Sequence, residues 1–278
     1  TEYSTMKFPP ATKAVFLATL ALVPPSTAFN PAMSSLSTRG GTSTSNSCSA
    51  PHSPTAVAVA TEETAVAETS SSSSPQEIFR TDYKPLPYRV SNVSMNFDIR
   101  DGKTVVESAL TVVPNNAGDG DFVLDGEADA LTLLSIELDG RVLVEGIDYA
   151  LEGDMLTIPS QLLGGGSSKL TTRVEIEPET NTQLSGLYKS GAMYCTQCEA
   201  MGFRRITFYP DRPDNMAIFD RVRIEADKAS YPVLLGNGNK IEEGDVEDGG
   251  RHFATWSDPF PKPSYLFCIV AGNLGSIS

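Results

Sequence analysis

Between Val93 and Ile99 apolar and polar side chains alternate strictly, with Val93, Met95, Phe97 and Ile99 set against Ser94, Asn96 and Asp98. A strand turns successive side chains to opposite faces, so this run has one apolar and one wet face, and a helix cannot use it. Asp101-Gly102 follows at once, and Lys103 to Val113 reads as a return strand. Leu131 to Leu138, Asp139-Gly140 and Arg141 to Val144 repeat the design. Asp-Gly between two such runs marks a tight hairpin, because the turn needs positive φ at both central positions. Further strands are expected over residues 122–124, 155–158, 170–177, 203–209, 221–227, 233–235, 253–256 and 265–271. A short helix is expected only over 213–219, where Pro213 is pre-set for a first helical turn. The fold class is therefore all-β and antiparallel.

Local motifs add little chemistry. Gly236-Asn-Gly238 has two glycines of a dinucleotide fingerprint, but Ile241 stands at the third position and no βαβ unit surrounds it, so it reads as a hairpin turn. Gly164 to Ser168 reads as a flexible loop. Asp211 and Asp214 are expected to cap the helix that follows them. Trp256 and Tyr265 read as core anchors beside the stiff run Asp258-Pro-Phe-Pro-Lys-Pro263. Cys195-Thr-Gln-Cys198 spells C-x-x-C. A structural zinc would need two further ligands and a redox site a βαβ setting, so packed thiols are the favoured reading. Four cysteines, one of them Cys48 outside the folded part, are too few for a disulfide framework. The two histidines, His52 and His252, lack the i, i+4 spacing that puts two ligands on one helix face.

The run Cys195-Thr-Gln-Cys-Glu199-Ala-Met-Gly-Phe-Arg204-Arg-Ile-Thr-Phe-Tyr-Pro-Asp-Arg212-Pro213-Asp214 is more specific. With Tyr231-Pro232-Val-Leu-Leu-Gly-Asn-Gly-Asn239 and Trp256-Ser-Asp-Pro-Phe-Pro-Lys-Pro-Ser-Tyr-Leu-Phe267, it resembles the zinc aminopeptidases of the aminopeptidase N family, in their bacterial-type alanyl aminopeptidase branch. The resemblance reaches back more loosely to about Tyr83. It implies a saddle-like N-terminal β-sandwich domain that packs on its own catalytic domain. It implies zinc in the full-length enzyme, held by H-E-x-x-H and a later glutamate, which this sequence does not contain. The family's G-x-M-E-N loop is not in it either, so the chain is expected to be the N-terminal piece of a longer protein and inactive alone.

By the same resemblance Glu199 is one of the carboxylates that grip the free amino end of a peptide. Gln197 matches a position lining the first side-chain pocket, and Met201 flanks it, where close relatives often carry glutamate. A carboxylate in a closed pocket selects an α-ammonium group, because an internal amide would leave it buried and unpaired at a cost of about 3–5 kcal/mol. The implied function is the substrate-binding β-domain of a zinc aminopeptidase acting on peptide N-termini. The alternative is a non-catalytic β-domain that binds or scaffolds.

The start of the chain has another character. From Met6 it runs through Lys7 and Lys13 into the apolar stretch Ala14 to Val23 and then Pro24-Pro-Ser-Thr-Ala28, which is how a secretory signal peptide reads. That stretch is too short for a bilayer core, which needs about 20 residues, so residues 1–28 are expected to be removed and to leave no membrane anchor. Residues 29–61 hold one arginine, no acidic residue and many hydroxyls, and the Ser70 to Ser74 run closes a disordered leader over 29–76. Thr27-Ala28-Phe29-Asn-Pro31 resembles the cleavage motif of two-part plastid presequences in diatoms and related algae. A plastid destination is expected, with simple secretion as the alternative. The β-domain is expected over 77–278. Beyond residue 61 there are 18 basic against 34 acidic side chains, and the whole chain carries a net charge of −14. Nucleic acid is thereby an unsuitable partner, since phosphate binding needs clustered positive charge.

Overall fold

The alternation near Val93 is built as the strand β1 (Tyr88–Ile99), in which Val93, Met95, Phe97 and Ile99 are all buried. Val90 is buried as well, three residues before Val93, because the pairing with the next strand slips between Val90 and Asn92 and re-phases the side chains. This computed structural model describes residues 77, 79–115, 120–246 and 249–277. The expected signal peptide and leader lie outside the described residues.

The strands that follow are β2 (Thr104–Pro114), β3 (Phe122–Asp125), β4 (Thr132–Leu138), β5 (Arg141–Val142), β6 (Ala150–Glu152), β7 (Met155–Ile158) and β8 (Ser168–Ile176). Then come β9 (Gly186–Ser190), β10 (Met193–Gln197), β11 (Ala217–Asp227), β12 (Val233–Gly236), β13 (Asn239–Asp245), β14 (Arg251–Lys262) and β15 (Ile269–Gly272). One α-helical turn, α1 (Ser160–Leu163), lies between β7 and β8. An eight-stranded sheet runs β13-β14-β11-β1-β2-β8-β4-β5, a four-stranded one β12-β15-β10-β9, and a three-stranded one β3-β7-β6. Among the described residues no helix is long and apolar enough to cross a membrane.

The all-β expectation holds, and strict antiparallelism does not. β1 pairs antiparallel with β2, Phe97 opposite Val106, but parallel with β11, Phe97 opposite Ile224. Alternation gives the face of a strand and is blind to the direction of its neighbour. Asp139-Gly140 takes positive φ at both positions, 51° and 80°, whereas at Asp101-Gly102 only the glycine does, at 79°.

Four local expectations are corrected. Residues 203–209 form no strand. Phe203–Arg205 is a 3-10 turn, and the run from Arg205 to Tyr209 is buried without alternation, the pattern from which period alone cannot name an element. Residues 213–219 form no helix. Asn215 is spent on distant partners, its Oδ1 accepting from Val90 N–H at 2.9 Å and its Nδ2 donating to the Tyr209 hydroxyl at 2.7 Å, and β11 then starts at Ala217. Gly236-Asn-Gly238 is a crossing between sheets and not a hairpin, since β12 pairs with β15 and β13 with β14. Of the proposed anchors, Trp256 packs against the core from a half-buried position and Tyr265 is also half-buried, while Phe267 nearby is 3% exposed. Phe267 belongs to an aromatic cluster with Phe97, Phe219, Phe203 and Tyr209, centroids 5.0–5.8 Å apart, that fills the space under the strand end after β10.

Candidate functional site

β10 is held on both edges. It pairs with β9, Gln197 opposite Gly186, and with β15, Cys195 opposite Val270. The Thr196 hydroxyl oxygen accepts the Ile269 N–H at 3.0 Å. Gln197 ends the strand and is exposed. Cys198 turns inward and is 2% exposed. Burial pushes its thiol up, and Asp211 and Cys268 add to this, so it stays protonated. Cys195, Cys198 and Cys268 are all free thiols. Burial likewise raises Cys268, which suits packed thiols better than a thiolate site.

From Cys198 the chain makes one tight loop. Gly202 N–H donates to Cys198 O at 2.9 Å, closing five residues. The Glu199–Ala200 peptide is cis. Glu199, Ala200 and Met201 are exposed, Met201 by 60%. Gln197 Nε2 donates to the Glu199 carbonyl at 3.5 Å, while no described residue donates to the Glu199 carboxylate. Gly202 is needed because a Cβ there would lie 2.4 Å from Gln197 O and 2.9 Å from both Cys198 Cα and Gly186 N. Phe203, fully buried, then drops into the aromatic cluster. Gln197, Glu199 and Met201 are thus brought together on one short projection.

Beneath the loop lies charge that sequence reasoning missed. Arg204 bonds Asp211 through its backbone N–H and its Nε, both at 3.2 Å, and lies 3.4 Å from Asp125. Arg205 pairs with Glu127 and with Asp129, and donates to Gln183 Oε1 at 3.2 Å. Asp211 is buried in this network and caps no α-helix, while Asp214 pairs at the surface with Arg212 and accepts from the Tyr83 hydroxyl. The available signal was two arginines inside an apolar run, which have to find carboxylates if the run is buried. A polar cleft of about 430 Å³ opens beside Arg205, lined also by Asp129, Glu177 and Gln183, but none of Gln197, Glu199 and Met201 lines it. Among the described residues no group of three or more His, Cys, Asp or Glu side chains could hold a metal ion.

Residues 136–266 match the model of the Peptidase M1 N-terminal domain. Aminopeptidase N of Caulobacter vibrioides is 48% identical over 200 residues, 72% of this chain and 22% of that protein. Aminopeptidase N of Escherichia coli is 42% identical over 199 residues, with the same coverage. The chain belongs to the aminopeptidase N family of M1 peptidases. Among solved M1 structures, Legionella pneumophila aminopeptidase A in complex with aspartic acid superposes with a TM-score of 0.64 at 37% identity, over 70% of this chain and 22% of that one. A Deinococcus radiodurans M1 zinc metallopeptidase mutant bound to a Tyr-Ser-Ala substrate has a TM-score of 0.56 at 18% identity, which speaks for the shared fold. This chain spans about a fifth of the aminopeptidase N relatives it matches. The M1 match contains the whole 197–202 loop, Asp211 and Ser264.

Proposed function

We propose that this chain supplies the substrate-amine-binding β-domain of a zinc aminopeptidase, with Glu199 receiving the α-ammonium group of a peptide. The observation that carries the reading is the loop under Glu199, held at both ends while it leaves the carboxylate exposed and, among the described residues, without a hydrogen-bond donor. Most exposed carboxylates are solvated and move freely. This one is held by the pairing of β10 on one side and by Phe203 on the other. Gln197 presents an amide beside the first side chain of the peptide, and Met201 an apolar flank.

An exposed carboxylate in water attracts an ammonium group only weakly. Discrimination needs the loop to be covered, so that an internal amide would leave the carboxylate buried and unpaired. The described residues form no such wall around 197–201, and the reading assigns it to a catalytic domain in the full-length protein. No residue of this chain is assigned to the metal. Zinc enters as the cofactor the family implies for the whole enzyme, where it would polarise the scissile carbonyl.

In the full-length protein Glu199→Ala should lower kcat/KM for substrates with a free α-amine by about ten- to a hundredfold, the effect of losing one charge-assisted partner. Glu199→Gln should also be impaired, since it keeps shape and loses charge. Near-normal kinetics with a lowered melting temperature would assign Glu199 a structural role. A full-length protein without aminopeptidase activity would favour the non-catalytic alternative. The leader proposal, import into a plastid, is independent of this reading.

A further inference from the structure

We propose that Asp211 is a positioning residue for amine recognition, fixing through Arg204 the downstream end of the loop that carries Glu199. The inference rests on the reading of Glu199 given above.

Asp211 is 4% exposed, and a buried carboxylate persists only when it is paired and hydrogen-bonded. Its Oδ2 accepts both the backbone N–H and the Nε–H of Arg204, each at 3.2 Å. Its Oδ1 accepts the Ser264 hydroxyl at 2.5 Å, and its carbonyl accepts Arg204 Nη2 at 3.1 Å. Its own N–H donates to Asp125 Oδ2 at 2.9 Å, and Asp125 also faces Arg204 Nη1. One carboxylate thus grips both the main chain and the side chain of Arg204, while Ser264 and Asp125 hold that carboxylate in place.

Phe203 alone would not suffice as the downstream anchor. Edge-to-face packing orients the Phe203 ring but holds no main-chain group of the loop, so the loop could still pivot about it. Charge-assisted hydrogen bonds are directional. Fixing the Arg204 N–H orients the 203–204 peptide, and through Gly202 the turn closed on Cys198. Arg205 braces the other side through Glu127, Asp129 and Gln183. Both braces lead to residues 125–129, so β3 and the segment after it serve as the base plate of the loop. A displacement of about 1 Å in a positioned group can cost about a hundredfold in rate.

The test uses two ligands of the full-length protein that differ by the α-ammonium group alone, alanine hydroxamate and propionohydroxamate, with affinities measured by calorimetry. Their ratio reads amine recognition and nothing else. Asp211→Asn should shrink that ratio by about tenfold, the partial loss of one charge-assisted contact, and leave propionohydroxamate binding within about twofold. Arg204→Lys keeps the charge but cannot reach both Asp125 and Asp211, and it should shrink the ratio in the same direction. It carries the test if Asp211→Asn does not fold. Equal weakening of both ligands would reduce Asp211 to a structural residue and overturn the proposal. An unchanged ratio in both variants, with the ratio reduced in Glu199→Ala, would overturn the positioning role and leave Glu199 standing. A ratio undiminished in Glu199→Ala would remove the reading of Glu199 and the positioning role with it.

Discussion

Replacing Gly202 by alanine tests whether the loop is as tightly closed as its contacts say. Gly202 has φ −82° and ψ −14°, an ordinary conformation for any residue, so the substitution carries no backbone penalty. The obstacle is space. The new Cβ would meet Gln197 O at 2.4 Å, Cys198 Cα at 2.9 Å and Gly186 N at 2.9 Å, all main-chain atoms, with Gln197 and Gly186 paired across β10 and β9 and Cys198 next to that pair. No flexible side chain can swing away, so the loop itself has to move by something like 1 Å. Overpacking of this kind costs about 3 kcal/mol, towards the upper end of the usual range. The loss of chain freedom in the unfolded state returns about 0.4–1 kcal/mol. A net loss of about 2–3 kcal/mol corresponds to a melting temperature lower by about 4–12 °C for a domain of this size. Gly165→Ala is the control: Gly165 is exposed, its Cβ would meet nothing within 4 Å, and its φ is not positive, so that variant should be neutral or slightly stabilised. Thermal unfolding of residues 77–278 followed by circular dichroism reads both. Equal melting temperatures for the two variants would refute the packing argument and, with it, the claim that Glu199 stands on a fixed loop.

The β9–β10 hairpin should also show its charge in acid. The Glu179 carboxyl is held below its ordinary range by the hydrogen bond from Lys189 and then by that from the Tyr194 hydroxyl. The unfolded chain therefore binds more protons in the window between the lowered and the ordinary value of about 4.3, and the contribution is full above that window and lost as pH falls through the folded value. Glu179→Gln should lower the melting temperature by about 1–3 °C at neutral pH, as expected for a half-exposed pair, and the gap should narrow as pH falls below the ordinary carboxylate range; a gap that persists in strong acid would deny the pair its role. Residues 1–75 fused to a fluorescent protein should enter a diatom plastid and stall before it when Phe29→Ala is introduced. A reporter found only in the medium, or indifferent to Phe29, would favour secretion.

What could be read from sequence followed how local the deciding physics is. β1 and β2 were legible because one face of each is buried and alternation records burial directly, whereas β4 buries only Ile136 and Leu138 of its inner face. The parallel partner of β1 was not, because β11 joins it from far along the chain and alternates in the same way. Over 213–219 a local helix signal lost to Asn215, whose two hydrogen bonds reach Val90 and Tyr209. β9 and β10 escaped notice because they bury adjacent or scattered residues and present no clean alternation.

The candidate site shows the same division in sharper form. A carboxylate reserved for a ligand must be left without an internal partner, so the chemistry around Glu199 itself is that of any solvated glutamate, and resemblance alone singled it out. What sets its position apart lies on the residues that flank it. Cys198 is buried where a loop would ordinarily be wet, Gly202 fills a space that admits no Cβ, and Phe203 and Arg204 are each held by several partners. Such constraints are spread over residues distant in sequence, among them Asp125, Asp211, Phe219, Ser264 and Phe267. A loop free to bind is therefore recognised by how completely its neighbours are occupied, and only a structure displays that.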